Sequence, residues 1–129
     1  MKLNLREFED RYDQLIAKLP DRGDCPFHEA AAYAVQFLKA AYEVNIILRR
    51  IRNEIIGLDA VCSIKYNDVL NKSDAKGVTE KKIQTEANPE YLDTIKEQSE
   101  MANNKEYFKN LYDIFMAAHV YYKNISREV

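Results

Sequence analysis

The sequence predicts an all-α protein, a long antiparallel helical hairpin with an added N-terminal helix. Three observations point there. Residues 34–69 carry Ala34, Phe37, Ala41, Val44, Leu48, Ile51, Ile55, Leu58, Cys62, Lys65 and Val69 at alternating gaps of three and four, with Lys65 the single polar member. Such a seam keeps one stripe of a helix facing a partner along its length. A second seam of the same spacing, Met101, Asn104, Phe108, Leu111, Phe115, Ala118, Tyr122 and Ile125, occupies the last third. Glycine and proline, three of each in 129 residues, are too scarce to break long helices often.

The first helix is expected over residues 3–19. Leu5, Phe8, Tyr12, Leu15 and Leu19 repeat the three-four spacing, Ile16 widens the stripe, and the opposite face is charged. Pro20 stops it, and residues 21–24 make a turn. Pro26 opens the second helix, with Glu29 near its positive end, and the pattern then runs to about residue 71, with Gly57 as its one weak point. Residues 72–77 read as a polar loop, and Thr79 as the N-cap of a short helix over 80–86. Asn88-Pro89-Glu90 is the clearest start signal in the chain: a capping side chain, a proline at the first helical position and an acid in the first turn. The last helix extends from there to about residue 127. One domain is expected, with the first helix docked where both seams are rich to make a three-helix bundle. The other end, where Tyr91, Leu92 and Ile95 are the main apolar partners, is a narrow coiled-coil-like projection carrying the short helix at its tip.

The apolar surface of the second helix is wider than one hairpin uses. Val35, Leu38, Tyr42, Ile46, Ile47 and Ile56 lie beside or behind the seam. The first helix is expected to cover part of them and self-association the rest.

Composition narrows function by exclusion. There is no secretory signal and no apolar run long enough for a membrane span, so a cytoplasmic protein without a membrane partner is expected. Two cysteines, Cys25 and Cys62, make neither a disulfide framework nor a metal motif. A helical di-metal site would need Glu-x-x-His pairs, and neither His28 nor His119 belongs to one. Glu90-x-x-Asp93 and Glu97-x-x-Glu100 have the spacing of magnesium-binding acidic pairs, but both lie on one helix without a matching pair on the other. Glycine is too rare for a phosphate-binding loop. No enzymatic activity, cofactor or metal is expected.

Charge is more informative. The formal net charge is only −2, yet residues 39–82 hold nine basic and six acidic side chains, a net +3. Residues 1–38 carry −2 and residues 83–129 carry −3. Arg49, Arg50 and Arg52 sit together, and Lys65, Lys72, Lys81 and Lys82 follow in the same half. Arginine close to aromatic side chains, here Tyr42 on the side of Arg49, suits a single-strand nucleic-acid platform. The same residues also suit an ordinary charged helix face ion-paired to Glu54 and the last helix.

The segment from Gly77 through Thr79, Ile83, Asn88 and Pro89 to Tyr91, followed by a helix with Tyr107, Leu111, Tyr121 and Tyr122, resembles phage recombination mediators of the UvsY type. The resemblance implies a ring-like homo-oligomer that binds single-stranded DNA and loads a RecA-type recombinase onto DNA coated with single-strand-binding protein. It places Arg49, Arg50 and Arg52 on the family's basic helix and implies a bacterial cytoplasm as the site of action. A small adaptor or inhibitor that occupies a host protein, without nucleic acid, is the alternative, favoured by net acidity and nine tyrosines.

Overall fold

A computed structural model describes residues 5–20 and 27–128. Among these, four α-helices occur and no strand: α1 (Leu5–Ile16), α2 (Ala30–Asn71), α3 (Val78–Glu86) and α4 (Pro89–Glu128), with a 3-10 turn at Phe27–Glu29 ahead of α2. The all-α hairpin read from the two seams is the observed architecture. No described helix is long and apolar enough to cross a membrane. The turn over 21–24, Cys25 and the Pro26 start fall outside the described residues.

The chain divides into two compact units. The first takes α1, the part of α2 up to Leu48 and the part of α4 from Tyr107 onward. The seams supply its core, with Phe37, Ala41, Val44, Phe108, Phe115, Ala118 and Tyr122 all buried. Aromatic rings form a connected series through it. Phe8 meets Phe108 edge-on at 4.9 Å, Tyr12 meets Phe115 at 5.7 Å, Phe115 meets Phe37 at 5.8 Å, and Phe37 stacks on Tyr122 at 5.6 Å. Offset and edge-on ring pairs at these separations add to simple burial. His119 Nδ1 lies 2.7 Å from the carbonyl oxygen of Ala34, which fixes α2 and α4 antiparallel in this unit together with the Phe37 contacts.

Helix α1 ends earlier than its apolar spacing implies. The α-winding stops at Ile16, and the backbone N–H groups of Lys18 and Leu19 then bond three residues back, to Leu15 and Ile16. Pro20 is the cause: it disfavours helical geometry at the residue before it, so the last turn tightens. The Tyr122 hydroxyl donates to the carbonyl of Lys18 at that turn. Through its rings α1 covers α4 rather than the outer side of α2, whose Val35, Tyr42 and Ile46 stay 65%, 60% and 53% exposed.

The second unit spans Arg49–Glu106. Here α2 and the start of α4 again run antiparallel: Cys62 donates to the carbonyl of Thr94, Gln98 Nε2 donates to Asp59, and the Tyr66 and Tyr91 rings meet at 5.3 Å. The apolar filling is thin, as the sequence predicts, with Ile55, Leu58, Val69 and Ile95 only half-buried. Leu92 is not one of its partners; it is 48% exposed, because Tyr91 and Ile95 share the inward face and Leu92 is turned about 100° from Tyr91. Helix α2 runs unbroken through Gly57, although a mid-helix glycine costs about 1 kcal/mol relative to alanine.

The caps divide into one success and one correction. Asn88 accepts from the backbone N–H groups of Glu90 and Tyr91 at 2.9 and 3.2 Å, the predicted start of α4. Thr79 is not the N-cap of the short helix. Winding begins at Val78, and Gly77, extended at φ −108° and ψ 152°, is the cap residue without a side-chain bond. The carbonyl of Gly77 already accepts from the N–H of Lys81 at 3.0 Å, which leaves Thr79 inside the first turn.

Two predictions follow from the first unit. The Tyr12 hydroxyl is a buried polar atom without a hydrogen-bond partner among the described residues, so it bears a desolvation cost without return. Tyr12→Phe is expected to leave the midpoint of urea unfolding unchanged or raise it, by up to about 1 kcal/mol in stability. Burial, together with a hydrogen bond to the Glu9 carboxylate 3.0 Å away and its charge, pushes the Tyr107 phenol up to about 12. The unfolded chain releases that proton near the ordinary tyrosine value of 10.0 while the folded chain keeps it, so this contribution to stability is complete below 10 and is lost toward 12. Ultraviolet titration should show a late phenolate component that is lost in Tyr107→Phe and moves earlier in Glu9→Gln.

Candidate nucleic-acid interface

All seven basic residues singled out in the sequence lie in the second unit. Helix α2 carries Arg49, Arg50 and Arg52 within one turn, and each is exposed. At about 100° per residue, Arg49 and Arg52 lie on one side and Arg50 on the next. A guanidinium presents a planar fork of donors that matches phosphate oxygens, so three of them in one turn are candidate phosphate ligands.

The lysines do not join that set. Lys65 follows Arg49 by 16 residues, about 24 Å along a helix rising ~1.5 Å per residue. Its Nζ is 2.6 Å from Glu90 Oε2 at the start of α4. That partner explains a lysine on the seam: its hydrogen bond and charge raise the Lys65 ammonium above its ordinary value and lower the Glu90 carboxyl below its own. Lys72 is engaged by Asp68, 3.2 Å away and one turn back. Lys81 and Lys82 are on α3, Lys81 half-buried with its carbonyl accepting from the buried Thr85 hydroxyl at 2.7 Å, and Lys82 exposed. The net +3 of residues 39–82 is therefore not one surface. Residues 49–106 together hold ten basic and eleven acidic side chains, a net −1, because α4 brings its carboxylates into the same unit.

Two clefts accompany these helices. The larger, about 590 Å³, is bounded by the end of α2, α3 and the start of α4. Its lining includes Asp68, Asp74 and Glu90 against the single cation Lys72, so it repels a phosphate rather than attracting one. Ser73 donates to Gln84 at 2.7 Å and accepts from the N–H of Ala75, which holds the loop onto α3. The smaller, about 410 Å³, lies between α2 and α4 and is lined by Asp59, Cys62, Tyr66, Tyr91 and Gln98 among others. Among the described residues no group of three or more His, Cys, Asp or Glu is arranged to hold a metal ion.

No known family, curated protein or solved structure matches this chain.

Sequence reasoning missed Glu90 as the partner of Lys65, although a signal existed. A lone cation on a seam of an antiparallel pair needs an acid at the matching step of the other helix, and three steps back from Met101 matched to three steps forward from Ile55 reach Glu90 opposite Lys65. Both groups are exposed enough for solvent to screen the pair. Glu90→Gln is expected to change stability little at neutral pH and to remove the small share of the pH dependence of unfolding that this pair contributes as pH falls below the ordinary glutamate value. There the wild type loses this contribution as pH falls and Glu90 takes up its proton. Denaturant titrations at a series of pH values check this.

Proposed function

We propose that this protein is a non-enzymatic accessory protein of DNA recombination, similar in role to the UvsY-type mediators, that binds single-stranded DNA as a homo-oligomer and helps a RecA-type recombinase displace single-strand-binding protein. The observation that carries this reading is the exposed run Arg49, Arg50 and Arg52 on α2. Lys65 and Lys72 are removed from the proposed phosphate ligands because acids already hold them, and Lys81 and Lys82 are secondary contacts at most. Three arginines per chain give weak binding. Affinity on single strands falls with a log–log salt slope of about 0.7 per phosphate contacted, so useful binding requires several chains acting together. Self-association is therefore part of the reading.

A second reading, a protein–protein adaptor, is supported by a different observation. Ile56, Ile64, Val78 and Ile83 of the second unit are 68%, 69%, 72% and 61% exposed. Apolar side chains in that number suit a protein partner as readily as a second copy of this chain.

The two readings separate on one titration. Anisotropy of a labelled single-stranded oligonucleotide at low salt should report saturable binding that weakens steeply as salt rises. Replacing Arg49, Arg50 and Arg52 together by Glu should abolish it with helicity unchanged by circular dichroism. Lys65→Ala should reduce it no more than twofold. Binding that survives the triple replacement, or no binding by the wild type, would overturn the DNA reading and leave the adaptor.

A further inference from the structure

We infer that the outer face of α2 in the second unit is where a second copy of this chain packs, antiparallel, across a two-fold axis at Ala60. The inference deepens the self-association in the function proposed above and rests on it.

The face is made of Asn53, Ile56, Gly57, Ala60, Ile64 and Asn67, all exposed. At about 100° per residue these lie within about 60° of Ala60 around the helix. No charged residue falls among them. The face points away from the seam that α4 covers, so nothing among the described residues accounts for its apolar content.

Its residues are ordered symmetrically. Ile56 and Ile64 stand four positions to either side of Ala60, and Asn53 and Asn67 stand seven to either side. Turning a second helix end over end about Ala60 sets Ile56 against Ile64 twice, amide against amide at both ends, and alanine against alanine in the middle. Such self-complementarity is what an isologous interface requires, since each patch must be its own partner. A parallel pairing would set Ile56 against itself and leave the symmetry of the row without use.

Charge completes the match. Arg50 flanks the row near its first end and Asp68 flanks it, on the same side, near its other end. The two-fold axis brings Arg50 of one copy beside Asp68 of the other at both rims, where polar pairs belong. Arg49 lies one turn beyond Asn53, and Arg52 flanks the opposite rim without entering the row, so in the dimer these two rather than Arg50 are left for phosphate.

Gly57 gives an independent indication. A Cβ built there meets nothing within 4 Å, so no neighbour among the described residues requires a glycine. Glycine in a helix interior weakens the helix, and its usual compensation is close approach by another backbone. Gly57 beside Ala60 gives a shallow place where a second helix can come near. Burial of Ile56 and Ile64, exposed in the single chain, then supplies the driving force. A contact of about four helical turns is small beside a standard interface, so association through it alone is weak and best trapped covalently.

The test is disulfide trapping in a chain carrying Cys25→Ser and Cys62→Ala, with helicity checked by circular dichroism. Ala60→Cys alone should form a covalent dimer under mild oxidation. Ile56→Cys mixed with Ile64→Cys should form one efficiently, and Ile56→Cys alone should not. Gly57→Leu, which the open space accommodates within a chain, should abolish the Ala60→Cys dimer without loss of helix. If the thiol-free background does not fold, Ala60→Glu in the otherwise native chain should lower the mass seen by light scattering at high concentration. An oligomeric wild type without these cross-links, or one whose mass Ala60→Glu leaves unchanged, overturns this interface alone. Efficient Ile56→Cys self-linkage also overturns it, in favour of a parallel pairing. A wild type monomeric at every concentration overturns both this interface and the self-association in the function proposed above.

Discussion

Phe37 and Phe115 meet because each occupies a seam that alternates by three and four, and because α2 and α4 descend past one another in matched steps. That antiparallel match is the constraint on which the first unit depends. Once Phe37 lies between Phe115 and Tyr122, His119 reaches the Ala34 carbonyl, and the Phe8 and Tyr12 rings of α1 find their places on Phe108 and Phe115. A slip of one residue on either helix would rotate its stripe by about 100° and expose the series of rings. Interdigitated rings of this kind tolerate little displacement, because interiors are close-packed and a gap forfeits contacts at once.

The second unit is held on different terms. It has few large apolar side chains between its helices, and polar links take their place: a carboxamide to Asp59, a thiol to a main-chain carbonyl, an ammonium to Glu90. Each is individually worth little, and those near water are screened. The unit therefore gains specificity of register from them more than stability. The same thinness leaves α2 with an outer side that no described segment covers, and it is there that both the exposed arginines and the uncharged row are found. Function, on this view, sits where the fold has least need of the surface.

Much of this was legible in the sequence, for identifiable reasons. The seams were legible because periodicity records burial directly: the residues named from spacing, from Ala34 to Ile51 and from Met101 to Tyr122, are nearly all buried. The start of α4 was legible because Asn88, Pro89 and Glu90 act locally. Thr79 misled because capping depends on where the backbone turns extended, and Gly77 does so first. Leu92 misled because adjacency in sequence is not adjacency on a helix. The candidate site was read less well, since summing charge along residues 39–82 leaves out what α4 brings alongside. Only the antiparallel pairing reveals that Lys65 is held by Glu90.

Cys62 is a buried residue, 7% exposed, and its sulfur is tethered to the main chain of the opposing helix at 3.5 Å. A modifying reagent gains full access to it when the two helices of the unit part. The thinly filled half of this protein thus contains its own clock: the speed at which that sulfur is alkylated counts how often the pair breathes.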